Sequence, residues 1–158
     1  WEARADKYTG SWSSNILVTC IDTAEGRLQI ASKMPTFRQY KGQPYNEPFY
    51  WLDLGNLSHT GQVVLGTVQP VKLSKRTKGV ASLPTVVKKF PALKRVKDAD
   101  QGPSCSLADA LTRQDLFINS ALAQFGCDMI WKLIRNGVIR HQGCYLNLDT
   151  FTVTSIKI

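Results

Sequence analysis

Nine Lys and Arg side chains fall between positions 72 and 97: Lys72, Lys75, Arg76, Lys78, Lys88, Lys89, Lys94, Arg95 and Lys97. Not one Asp or Glu lies from Leu54 through Lys97. The chemistry open to such a run is ionic. Clustered ammonium and guanidinium groups neutralise phosphates and release condensed counterions, so they grip nucleic acid in a salt-dependent way. The same charges attract anionic lipid or acidic protein. The whole chain carries +8 and this segment alone carries +9, so the remainder, eleven basic and twelve acidic residues, sums to −1. The protein is a near-neutral body with one basic segment.

Other chemistry is sparsely provided. His59 and His141 are the only histidines. His141 precedes Cys144 by three residues, but a metal needs further ligands at suitable spacing, and a plain turn is the better reading of "HQGC". The "DAD" of residues 98–100 reads as a solvated loop rather than a cation site. No phosphate-binding glycine loop and no serine elbow is present. Nothing in the sequence selects a Cys–His nucleophile pair. Cys20, Cys105, Cys127 and Cys144 are widely spaced and read as reduced, largely buried thiols, although their number also allows a bridge such as Cys105–Cys144. "NLS" at Asn56 matches a glycosylation acceptor, a pattern too short to carry weight. The expectation is a non-enzyme with no metal and no cofactor.

Aromatic residues add a second element to the basic run. Phe37, Tyr40, Tyr45, Phe49, Tyr50 and Trp51 gather near Arg38 and Lys41. Bases stack on exposed rings while cations hold the phosphates. Phe37, Tyr40 and Tyr45 are the stacking candidates, and Trp51 reads as a core strand residue.

These groups need a scaffold. With 158 residues and 43 % apolar content, the chain suits one domain with its own core. No run of apolar residues is long enough to span a bilayer. The first residue is Trp1, so a targeting segment is not legible. "NILVTCID" reads as a strand, "TAEG" as a turn and "RLQIASKM" as a second strand, together a hairpin. "FYWLDLGNL" and "QVVLGTVQPV" read as another hairpin around "SHTG", with Gly66 marking a bulge and Pro70 a strand end. Residues 72–104 read as a basic, Pro-containing loop or linker. Within it "LPTVVKKF" suits a short strand, and "PALKRVKD" suits a helical turn opened by Pro. Capping signals at Ser106 and Thr112 place a short helix near 107–112 and a long one near 114–135, closed by Asn136 and Gly137. A turn at "QG" and one or two strands in "CYLNLDTFTVTSIKI" complete the chain.

The long helix carries two apolar stripes at the helical period. Ile118, Leu122, Phe125, Met129 and Leu133 form one; Ser120, Ala123, Cys127, Trp131 and Ile134 form the other. Two stripes imply cover on both sides, by the sheet and by a loop, the N-terminal arm or a second copy. Phe125, Met129 and Trp131 are the candidates for a homo-oligomer contact.

The expected fold is therefore α+β: one domain, residues 1–158, with antiparallel hairpins packed by a long C-terminal helix and a closing strand or hairpin. The expected function is structural. The basic segment binds nucleic acid, RNA or single strands, with self-association through the helix. The alternative is a peripheral scaffold on an anionic membrane, the combination a viral matrix protein requires. In that case Val80, Leu83, Val86, Val87, Phe90 and Leu93 enter the headgroup region. A nuclear-import or acidic-partner peptide is the third reading. All three place the protein inside the cell, in a virion, or on an inner membrane face.

Overall fold

A computed structural model describes residues 14–34, 48–73, 75, 79–96 and 115–158. The elements, in chain order, are β1 (Ile16–Cys20), α1 (Ala24–Lys33), β2 (Tyr50–Asn56), β3 (Thr60–Thr67), α2 (Val86–Lys89), a 3-10 turn (Pro91–Arg95), α3 (Ile118–Asn136), β4 (His141–Asn147) and β5 (Thr152–Lys157). The strands form one sheet in the order β1-β2-β3-β4-β5. The class is α+β, with α3 packed on the sheet.

"RLQIASKM" is helical, not the second strand of a hairpin. Two sequence features decide this. Thr23 caps the helix, its side chain accepting from the Gly26 N–H at 3.1 Å. Ala24, Arg27 and Ile30 are buried at helical spacing, and this period prevails over the alternating one. The consequence is topological. A strand followed by a crossover helix returns parallel, and β1 pairs parallel with β2 from Ile16–Tyr50 to Cys20–Leu54. The other three strand pairs are antiparallel, so the sheet is mixed.

The β2–β3 hairpin forms where the sequence places it, closed by the Leu57 N–H donating to the Thr60 carbonyl. The closing hairpin forms too, but it turns at residues 148–151 rather than at Gln142–Gly143. Asn147 supplies the turn: its side-chain oxygen accepts from the backbone of Asp149 and Thr150. Gln142 and Gly143 lie inside β4, at a register shift. A Cβ on Gly143 would stand 1.9 Å from the Val63 carbonyl oxygen, so the close approach of β3 requires glycine there.

Alternation along the strands gives the sheet two apolar faces. One carries Leu52, Leu54, Val63, Leu65, Cys144 and Leu146, covered by Ile118 and Leu122 of α3. The other carries Leu17, Trp51, Val64 and Ile156, covered by Ile30 of α1 and Val86 of α2. Trp51 is a core residue, as expected, at 1 % exposure.

The second face also buries a charge pair. Asp53 is fully buried in β2 and Arg27 nearly so. The Arg27 Nε donates to Asp53 at 2.8 Å, and a second guanidinium N–H reaches the Leu54 carbonyl. The Thr19 hydroxyl donates to the other Asp53 oxygen, and the Trp51 indole N–H donates to Thr19, both at 2.8 Å. Burial pushes the Asp53 carboxyl up from its usual range, and Arg27 and Thr19 hold it back. The network ties α1, β1 and β2 into one unit. Removing one partner of such a pair strands a buried charge. Arg27→Met should therefore cost about 3–5 kcal/mol in urea unfolding, and the double variant Arg27→Met, Asp53→Leu should recover much of that loss.

Candidate nucleic-acid interface

The basic segment begins where β3 ends. The Thr67 N–H donates to the Leu83 carbonyl at 3.0 Å, and the Leu83 N–H donates back to the Thr67 hydroxyl at 2.8 Å. One rung further out, the Val71 N–H donates to the Ala81 carbonyl at 2.7 Å. These bonds pair residues 67–71 with residues 81–83. The chain then crosses Gly66. A Cβ at Gly66 would meet the Thr85 Cα at 2.4 Å, so this glycine is a site of close approach, not a bulge. Its pairing with Trp51 is regular.

"LPTVVKKF" forms the short helix α2 rather than a strand. The Lys89 and Phe90 N–H groups donate to the Thr85 and Val86 carbonyls. Pro91 forces Phe90 out of the helical region and ends α2. It then opens the 3-10 turn from the first position, as the sequence predicts. Val86 and Phe90, four residues apart, both face the sheet. Val86 is fully buried, and the Phe90 ring lies 6.1 Å from that of Tyr145. Leu83 is also buried, and Val87 and Leu93 pack against the core. Of the six apolar residues assigned above to lipid, only Val80 is largely exposed, at 54 %. The interleaved apolar residues are anchors.

The cations point outward, with one exception. Lys72, Lys75, Lys88, Lys94 and Arg95 are exposed. Lys88, Lys94 and Arg95 share the layer of α2 and the 3-10 turn, whereas Lys72 and Lys75 stand on the loop. Lys89 is only partly exposed. Its ammonium donates to the Gln142 side-chain oxygen at 2.8 Å and reaches the Lys157 carbonyl at 3.4 Å. Gln142 is fully buried and donates in turn to the Pro84 carbonyl. Arg76, Lys78 and Lys97 lie outside the described residues, as do Phe37, Tyr40 and Tyr45.

The fold adds a cation that the sequence run does not contain. Lys33 closes α1, which packs against the 3-10 turn. It is a single charge far away in sequence, and the parallel crossover brings it to this layer. At the end of β5 the Lys157 backbone carbonyl meets the Lys89 ammonium.

The helix α3 is amphipathic in one direction only, among the described residues. Ile118 and Leu122 are buried, and Phe125, Met129 and Leu133 pack against the same core. Phe125 and Met129 are half-buried against that core. The opposite stripe is exposed, with Trp131 at 57 % and Ile134 at 68 %. The Arg135 guanidinium stacks over the Trp131 ring at 5.8 Å. Gly137, in the left-handed conformation, ends the helix as expected.

The thiols and histidines do not converge. Cys20, Cys127 and Cys144 are free, and only Cys144 is buried. This corrects the expectation of largely buried thiols; Cys105 lies outside the described residues. Partial desolvation pushes the Cys20 and Cys144 thiols up, with Asp53 and Asp22 adding to the effect at Cys20. Among the described residues no group of His, Cys, Asp and Glu could hold a metal ion. His59 sits in the β2–β3 turn, as expected. Its ring bonds the Ser58 hydroxyl at 2.8 Å on one side and Asp149 at 3.0 Å on the other. The order resembles a nucleophile, base and acid. However, His59 and Asp149 stand about half exposed on two hairpin turns, and the link ties those turns together. No helix among the described residues is long and apolar enough to cross a membrane.

No protein-family model and no curated protein matches the chain.

Lys89 and Lys88 should differ in what they do. Lys89→Ala removes a partner from a buried amide and should cost about 1–3 kcal/mol. Lys88→Ala, at the surface, should stay within about 0.5 kcal/mol of the parent. Urea unfolding of the two variants checks this.

Proposed function

We propose that the protein is a non-enzymatic nucleic-acid-binding protein that holds the phosphates of RNA or other single strands on the layer of α2 and the 3-10 turn. One observation carries the reading. Lys88, Lys94 and Arg95 are exposed on a segment whose Val86, Val87, Phe90 and Leu93 pack against the core. Such charges are held in place by the fold, so they lose less freedom on binding than those of a disordered tail. The same anchoring leaves few apolar side chains for insertion into lipid, which favours phosphate binding over the membrane alternative.

The test is a triple variant, Lys88→Gln, Lys94→Gln, Arg95→Gln, titrated with single-stranded RNA at several salt concentrations. Lys89 is left in place because it supports the fold. Each phosphate contact contributes about 0.7 to the log–log salt slope on a single strand. The variant should bind at least about tenfold more weakly at low salt, with a slope shallower by about two. It should unfold like the parent. An unchanged affinity and slope would remove the reading.

A handful of phosphate contacts gives weak binding per chain, and joining copies raises it through effective concentration. This reading assigns contacts between copies to the outward stripe of α3, around Trp131 and Ile134. Sedimentation equilibrium should show the parent above monomer mass at high concentration and Trp131→Ala closer to monomer. A parent that stays monomeric throughout would remove self-association from the reading.

A further inference from the structure

A second feature lies on the opposite face of the sheet, where α3 stops short of the strand ends. There a cleft of about 530 Å³ opens between residues 71–73 and 79–81 on one side and the segment that follows α3 on the other. Its size falls within the range of small-molecule sites. Leu65 and Leu83 contribute to its inner surface, Leu73 and Val80 come from the loop, and Val138 and Ile158 come from the chain after α3 and the C-terminus. Leu73, Val80, Val138 and Ile158 are each between 38 % and 54 % exposed, so a cluster of the surface's large apolar side chains borders one cavity. The loop wall is fixed by the Val71–Ala81 rung. The cleft also carries two cations, Lys72 and Arg140, and no Asp or Glu is among the described residues that line it. Neither cation makes an ion pair with a described residue. An apolar cavity with unpaired positive charge and no carboxylate complements one kind of ligand.

We infer that this cleft binds a single-chain amphiphile with an anionic head, taken up as a monomer from solution. The acyl chain lies on the apolar walls, and Lys72 and Arg140 hold the carboxylate or phosphate. The inference does not depend on the nucleic-acid reading. It uses neither Lys88, Lys94 nor Arg95.

The test is calorimetry with dodecanoate below its micelle concentration, beside octanoate and dodecyltrimethylammonium. Dodecanoate should bind saturably at one site. Octanoate should bind at least about a hundredfold more weakly, since each buried methylene contributes severalfold. The cationic amphiphile should bind at least about tenfold more weakly. Ala81→Trp fills the cleft from an exposed loop position whose backbone bond to Val71 is kept, and it should abolish dodecanoate binding with the circular dichroism spectrum unchanged. Lys72→Gln, Arg140→Gln should remove the preference for the anionic head but retain the chain-length dependence. Equal binding by the Ala81→Trp variant, equal affinity for the cationic amphiphile, or binding of phosphatidylglycerol vesicles without monomeric dodecanoate would each overturn the inference.

Discussion

The structure depends on one buried amide, that of Gln142. It sits inside β4, fully shielded from water, where an unpaired amide would be costly. Its nitrogen donates to the Pro84 carbonyl and its oxygen accepts from Lys89. It therefore holds both the entry and the end of α2 against the sheet. Thr67 fixes the same segment at Leu83, and Gly66 gives Thr85 room to pass. A stretch that composition alone would leave as a charged linker becomes part of a layer. Lys88, Lys94 and Arg95 are the outer surface of that layer because Val86, Val87 and Phe90 are the inner one.

The partner helix of that layer is positioned by a different constraint. Arg27 and Asp53 cannot be buried apart, so α1 is locked across β1 and β2. This polar network lies on β1 and β2 beside Trp51, on the face that α1 and α2 cover. It places the end of α1, with Lys33, against the 3-10 turn. The positive charge of the layer thus has contributions from two separate parts of the chain: the basic segment and α1.

Much of this was legible in the sequence, and the failures have physical causes. The second hairpin, the long helix and its left-handed cap were visible because apolar period and turn chemistry agree there. "RLQIASKM" was misread because residues 28, 30, 32 and 34 alternate acceptably as a strand. The Thr23 cap and the burial of Arg27 tip the balance, and burial of an arginine is not readable before its acid is known. Gln142 was read as a turn residue because Gln-Gly is a turn-like pair. Its real role depends on contacts with Pro84 and Lys89, more than fifty residues away. The two stripes of α3 are legible in the sequence, but which one meets the sheet is not, and the structure turns the stripe of Phe125 and Met129 toward it. The cations were found as a run. That Lys89 is an anchor while Lys88 is free follows only from the helical turn of α2.

The central claim is that the layer of α2 and the 3-10 turn is the phosphate-binding surface. The most direct measurement is a titration of the isotopically labelled protein with a short single-stranded RNA, following backbone amide shifts. The account predicts saturable changes concentrated at residues 86–96, with Lys33 moving alongside and the outward face of α3 unmoved at low occupancy. Shifts confined to other surfaces, with residues 86–96 unperturbed, would contradict it.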